Sequence, residues 1–347
     1  MNDPRPDKGR QNSAYRSAPH YSSGLRTEDS GLSGQSSVLS PQSSVLIKPR
    51  AITQNAHIAV LAISSPSERD RIETAKQHLE ARGARVTIAG NIAHSHRGYL
   101  AGSDDERLAE LNRYLNSDEY GAFFFSRGGY GAMRILDRID YEAIRRNPRP
   151  IVGFSDLTAL HQAAATQANV ATFHGPMLNL DFFNGLSPEN ERWFWSMLGG
   201  DAPLTHEFAR NQIVCEGECE GILFGGCLSL TTALVGTPYD FWIDDGIWFW
   251  EDVDEPTYRL DRMLTHLRLS GRFESIRGVA IGKLKGCGSE EEIDALLHET
   301  FDPYGVPVVR DLPFGHHGDN LLMPIGVPVR LSTSSAIMSI TQAAVQR

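Results

Sequence analysis

Three residues of this chain could together do hydrolytic chemistry: a serine on a strand-to-helix turn, a carboxylate closing an apolar strand, and a histidine in a glycine-flanked turn. The serine is Ser155, in Ile151-Val152-Gly153-Phe154-Ser155-Asp156-Leu157. A turn of that kind pushes its side chain out of the sheet and leaves nearby backbone N–H groups facing whatever the side chain attacks. Gly153 gives room for it, but Leu157 stands where the pattern G-x-S-x-G has its second glycine. Read alone, Ser155 fits a helix N-cap somewhat better than a nucleophile.

Glu251 follows the apolar run Ile247-Trp248-Phe249-Trp250. A partly desolvated carboxylate there suits a group that orients a histidine and steadies its protonated form. It equally suits one member of a solvated acidic turn over 251–255, and on its own that reading is the stronger. His316 and His317 lie in Phe314-Gly315-His316-His317-Gly318, and histidine is the usual general base near neutral pH. The order Ser, Glu, His, with the serine in one half and the others in the next, suggests a site assembled at a domain interface. Gly128-Gly129-Tyr130-Gly131 follows a strand and opens a helix. As a dinucleotide fingerprint it fails at Arg134, which leaves an anion or oxyanion turn, or a tight turn without a ligand. Zinc is not expected. Arg210 and Asp302, not a second histidine, stand four residues after His206 and His298, and Cys215-x-x-x-Cys219 has no second pair.

These residues need elements to hold them. Apolar runs at 58–63, 85–89 and 122–125 read as strands. Helical periodicity joins them, with Ile72, Ala75 and Leu79 on one face, then Leu108, Leu111 and Leu115 on another. A helix from Met133, the serine strand and a helix over 157–168 follow. Strands alternating with helices indicate a parallel sheet whose ligands sit beyond the carboxyl ends of the strands. The turns at Ser64-Ser65, at the glycines and at Ser155 all belong to that edge. A connection spans 186–212 with one helix near 191–198. A second domain begins near Ile213, with helices over 228–235, 258–269 and 290–301. Its strands include 247–250, 278–283, 306–310, 327–331 and 336–340. The division expected is a disordered tail over 1–50, a nucleophile domain over 51–185, a linker over 186–212 and a β/α domain over 213–345. The tail reading rests on its Ser, Gly, Pro and Arg content, which cannot bury enough surface to offset ordering entropy.

Bulk properties narrow the partners. The 347 residues suffice for two cores. A net charge of −10 argues against nucleic acid or an anionic membrane as the main partner. No apolar run approaches the ~20 residues of a spanning helix, and Met1-Asn2-Asp3-Pro4-Arg5-Pro6 lacks the apolar core of a secretory signal. A cytoplasmic chain is expected, consistent with only four cysteines (Cys215, Cys219, Cys227, Cys287).

Several ordered blocks resemble the LD-carboxypeptidases, the serine peptidases of murein recycling, whose group includes the microcin C immunity peptidases. They are Gly98-Tyr99-Leu100-Ala101-Gly102, the stretch 127–132, the stretch 153–161, Phe173-His174-Gly175-Pro176-Met177, and Gly236-Thr237-Pro238-Tyr239. Glu251-Asp252 with 258–264, Phe314-Gly315-His316 and Pro324-Ile325-Gly326 complete the set, so the resemblance spans about 48–332. It implies a triad of Ser155 as nucleophile, His316 as base and Glu251 as its orienter, with His317 a neighbour. It implies an oxyanion hole from the N–H groups of Gly129 and Asp156, and neither metal nor cofactor. The implied fold is α/β: an N-terminal Rossmann-like parallel sheet with helices on both faces plus a C-terminal β/α domain, with the active site at their interface and usually a homodimer. The implied reaction releases terminal D-alanine from a small murein tetrapeptide by cleaving an L,D-peptide bond. The alternative keeps the triad and takes a peptidyl or aminoacyl nucleotide, for which Trp242, Trp248 and Trp250 are candidate stacking residues. A non-catalytic binding protein and a nucleotide-dependent oxidoreductase are the readings from other classes. Two departures stand out. Ile63 replaces a usual proline, and Cys227 replaces a usual asparagine in what reads as a loop able to line the pocket.

Overall fold

In a computed structural model, which describes residues 46–53 and 55–347, two sheets carry the chain. The first begins with β1 (His57–Leu61), α1 (Arg69–Glu80), β2 (Arg85–Ile88), α2 (Asp104–Leu115) and β3 (Ala122–Phe125). A 3₁₀ segment (Ala132–Arg138), α3 (Tyr141–Arg146), β4 (Ile151–Gly153), α4 (Thr158–Ala163) and β5 (Thr172–His174) follow. The local reasons are ordinary. On α1, Ile72, Ala75 and Leu79 are the buried face. On α2, Ser103 and Glu106 form a capping box one turn earlier than hydrophobic spacing alone suggests. The 157–168 segment is not one helix: it runs 3₁₀ through Leu157, α through Ala163 and π through Ala168.

β5-β4-β3-β1-β2 lie in that order, all parallel. Alternate residues enter different cores. Ile58, Val60 and Phe124 join one cluster, while Ala59, Leu61, Phe123 and Phe125 join the other. Both faces are therefore covered, as a parallel sheet requires.

After α5 (Pro188–Gly199) the second sheet is assembled from β6 (Leu204–Glu207), β7 (Ile213–Cys215), β8 (Glu218–Cys227), β9 (Ile247–Val253), β10 (Gly278–Lys285) and β11 (Val308–Val309). Between these come α6 (Leu228–Leu234), α7 (Thr257–Leu269) and α8 (Glu290–Phe301). Then follow β12 (Met323–Ile325), β13 (Val327–Ser332) and β14 (Ile337–Ile340). The sheet order is β6-β14-β13-β8-β9-β10-β11-β7, parallel from β8 to β11 and antiparallel on both flanks.

β12 is the exception. It leaves the second sheet and pairs antiparallel with β5, as the edge of the first. The segment just after His316 thus completes the sheet that carries Ser155, a pairing no local pattern announces. One core cluster runs from Val60 and Phe173 through Phe224 and Trp250 to Phe314, and Gln162 on α4 donates to Thr231 on α6 at 3.1 Å.

Two sequence readings need correction here. The expected disordered tail lies outside the described residues as far as 45, but its last five residues are tied to the fold by backbone hydrogen bonds. Leu46 is buried, Ile47 bridges Val170 and Arg50 bridges Gln346. Leu46 fits where Gly326 has no Cβ to meet it. Cys227, read as a loop residue, is instead the buried last residue of β8, opposite Glu251 in the ladder.

Candidate active site

Ser155 follows β4 with φ +62, the left-handed region that a residue with a Cβ seldom enters. It therefore stands above the sheet instead of continuing the strand. It caps no helix: Phe154 and Leu157 occupy the cap positions ahead of the two helical pieces, and neither piece has a side-chain cap. The capping reading of Ser155 falls on this geometry. Gly128 lies against the serine, for a Cβ there would stand 2.7 Å from Ser155 Cβ and 2.9 Å from its Oγ. Gly129, at φ +103, presses on Ser65 just as closely. Among the described residues neither Gly129 nor Asp156 donates its N–H to another group.

One carboxylate ties the three turns together. Asp156, buried, accepts from Ser64 Oγ at 2.6 Å and from the Ala132 N–H at 2.8 Å. Burial raises its pKa against the pull of those two bonds and of Arg107. Buried Arg107 donates to the carbonyls of Ile63 and Gly131 and to Asp104. Leu100 and Ala101, from the Gly98–Gly102 block, pack over Gly131 and bond the Ser64 carbonyl. The blocks the sequence analysis singled out without a role are the props of this edge.

The second half comes from β9 and the turn after β11. Glu251 is not in a turn: β9 runs on to Val253, and both Glu251 and Asp252 are buried inside it. The Glu251 side chain has 0% exposure and that of His316 19%. Glu251 Oε2 accepts from His316 Nδ1 at 2.6 Å and from the His316 N–H at 3.1 Å. Gly315, at φ +93, lets the carboxylate approach, since any Cβ there would collide with it. Burial pulls the His316 pKa down. The hydrogen bond and charge of Glu251, with Asp252 and Asp181 beyond, outweigh that and hold it above the ordinary histidine value. Asp252 bonds the Ser229 N–H at 2.8 Å, and burial pushes its pKa up to about 6. His317 is exposed, and its Nδ1 accepts from the Asp319 N–H of its own turn. The two halves meet at Phe154, whose ring stands edge-on to His316 at 4.9 Å.

Sequence reasoning missed three residues around His316. His174 is wholly buried with Nε2 3.7 Å from Glu251 Oε1, and burial keeps it neutral. Asp181 accepts from the Met177 N–H at 2.8 Å and is pushed by burial up to about 7. Asn320 accepts from the Gly315 N–H at 2.9 Å, bracing the histidine turn. Phe173-His174-Gly175-Pro176-Met177 was the only signal that could have pointed to the first. A cavity of about 430 Å³ opens beside His316, lined by Asp181, Asn184, Lys285 and the turn 316–318 among others. The tryptophans named as stacking candidates do not face it: Trp248 and Trp250 are buried, and Trp242 packs on Phe224 and Trp248.

The chain is similar to known proteins along most of its length. Residues 58–175 match the LD-carboxypeptidase N-terminal domain and residues 220–331 its C-terminal domain. A probable murein peptide carboxypeptidase of Bacillus subtilis is 33% identical over 294 residues, covering 83% of this chain and 92% of that one. The crystal structure of muramoyltetrapeptide carboxypeptidase from Oxalobacter formigenes superposes with a TM-score of 0.73 at 26% identity, over 82% of this chain and 99% of that one. The structure of MccF in complex with glutamyl sulfamoyl guanosine has a TM-score of 0.79 at 22% identity, over 86% and 100%, and shares the fold.

Proposed function

Because the chain belongs to the LD-carboxypeptidase family, we propose that Ser155, His316 and Glu251 form the triad of a serine carboxypeptidase. It hydrolyses the L,D-peptide bond of murein tetrapeptides and releases terminal D-alanine, a step of cell-wall recycling. The observation that carries the reading is the buried Glu251 carboxylate bonded to Nδ1 of His316, whose ring packs on Phe154, the residue before a serine held in the left-handed conformation.

With Nδ1–H donated to Glu251, the other ring nitrogen of His316 is free to take a proton. Ser155 Oγ attacks the carbonyl before the terminal residue as His316 accepts the serine proton. The oxyanion is met by the N–H groups of Gly129 and Asp156. His316 returns the proton to the leaving amine, and water then hydrolyses the acyl-enzyme by the same route reversed. Lys285, lining the cavity beside His316, fits the free carboxylate of the substrate. The reading divides the chain into a nucleophile part (51–185) and an acid–base part (213–345) around the linker 186–212. It places the enzyme in the cytoplasm as a homodimer; the free state of all four cysteines supports the first, and the family resemblance the second. No helix among the described residues is long and apolar enough to cross a membrane.

The test is D-alanine release from murein tetrapeptide, followed by mass spectrometry, with wild type and Ser155→Ala. Wild type alone should release it, with the variant lower by about 10⁴–10⁶-fold. Release by both would mean another nucleophile. Release by neither would turn the assignment to peptidyl nucleotides, with the same triad.

A further inference from the structure

On the far edge of the second sheet a thiol, an imidazole and a carboxylate converge. Cys215 ends β7, the last strand of that sheet. His298 and Asp302 stand one helical turn apart where α8 ends, so both project to the same side. Asp302 Oδ1 lies 3.2 Å from Cys215 Sγ and 3.1 Å from His298 Nδ1. One donor atom from each residue lies within 4.8 Å of the other two, and among the described residues no other group of metal-binding side chains comes so close.

The donor set selects the ion. Calcium and magnesium take oxygen ligands, and one carboxylate does not make such a site. Sulfur, nitrogen and oxygen together suit zinc and its neighbours, which accept three protein ligands with water as the fourth. Tetrahedral bonds of about 2.0–2.3 Å set neighbouring donors roughly 3.3–3.6 Å apart. The two spacings to Asp302 need to open by only a few tenths of an ångström, and the third, between Cys215 and His298, lies within 4.8 Å. Two of the three side chains are free to do so, at 50% and 59% exposure for His298 and Asp302, and the ion has an open path from solvent.

We propose that Cys215, His298 and Asp302 bind Zn²⁺ or a similar transition-metal dication, with a structural role separate from hydrolysis. Binding replaces the thiol proton, which leaves to solvent, by a sulfur–metal bond. The place is one where a staple acts. β7 has three residues and is joined to β11 through two register pairs with a shift between them. The ion would join that short edge strand to the end of α8. Along the chain Cys215 has only Cys219 near it, and no second histidine follows His298 at helical spacing. In the fold Cys219 lies apart, against Gly278, and Asp302 fills the helical position.

The experiment uses the full-length protein, stripped with a chelator and titrated with Co²⁺, then Zn²⁺. Expected are a thiolate-to-cobalt band in the near ultraviolet, visible bands of a four-coordinate ion, saturation at one ion per chain, and displacement by Zn²⁺. Cys215→Ser should lose the near-ultraviolet band. His298→Gln and Asp302→Asn, both at exposed positions, should each bind on the order of tenfold more weakly. Zn²⁺ should raise the melting temperature of wild type and not of Cys215→Ser, while D-alanine release is unchanged in the three variants. Far-ultraviolet circular dichroism checks that each folds, and the two helix variants decide the matter if Cys215→Ser does not. Absence of saturable binding by wild type, or a near-ultraviolet band that survives in Cys215→Ser, overturns the proposal, as does binding unchanged in both helix variants.

Discussion

At Ser155 the constraint is the backbone; at His316 it is one buried charge. The serine turn holds a left-handed residue, which costs about 1–3 kcal/mol and persists only where neighbours over-determine it. Those neighbours are two glycines in contact with Ser155 and Ser65, and the Asp156 carboxylate that links three turns. At the histidine turn the left-handed residue is a glycine, Gly315, pressed against Glu251, and His316 itself carries no such strain. Its ring is set by Glu251, and the bond that the Gly315 N–H donates to Asn320 supports the loop behind it. An added methyl group would disturb either turn, at Gly128 or at Gly315, whereas the loss of the Glu251 charge acts on His316 and not on Ser155.

The largest effect that would sharpen this contrast is Glu251→Gln. It should lower kcat by about 10⁴-fold, because the histidine loses both its tautomer and the partner of its cationic form. The acid limb of the kcat/KM profile should also move to lower pH, since burial then acts on His316 against only the more distant charges of Asp252 and Asp181. A limb that stays in place would show that Glu251 does not set the His316 pKa. Gly128→Ala should come next, with a loss on the order of 10²–10³ as the serine and the nearby donors are displaced. The His316 titration, followed by NMR, should be untouched. If it moves, the two turns are held as one unit and the contrast fails.

The pH dependence divides the two roles of one residue. The His316 pKa is raised in the fold, so the stability it contributes is present in full below its unfolded value and is lost as pH rises through the folded one. Under the proposed mechanism activity runs the other way, because only the neutral ring accepts the serine proton. Asp181 and Asp252 also have raised values and push stability in the same direction as His316. The His316 share is therefore the difference in melting temperature between wild type and His316→Gln. It should shrink as pH climbs from 5 to 9, while wild-type kcat/KM grows; a flat difference would refute the coupling. The smallest effect belongs to His317→Ala, expected to leave kcat/KM within about twofold, since the ring is exposed and bonds only its own turn.

Much of the frame was legible because it is local. The run 122–125 and the helix 290–301 appear where residue pattern put them, and the helical stripe on α1 is the buried one. The Ser155 turn was legible as a turn but not as strained, since its G-x-S pattern is shared with capped helix starts. Glu251 was placed in an acidic turn because Asp252, Asp254 and Glu255 follow it. Charge density along the chain does not reveal that two of those carboxylates point into a core.

What the sequence determined by itself is the alternation of strands and helices, the three turns of the first sheet's edge and the identity of the residues able to do chemistry there. Each of these depends on periodicity or on residue type within a few positions. Only the tertiary structure decided that Glu251 and His316, 65 positions apart, share a 2.6 Å hydrogen bond. It likewise decided that β12 completes the serine's sheet, that His174, Asp181 and Asn320 surround the histidine, and that Cys215 meets His298 and Asp302. The reason is physical. Local pattern sets which face of an element is buried, but which distant face it meets depends on how strands are ordered in the sheet, and that order is settled by packing the whole core at once.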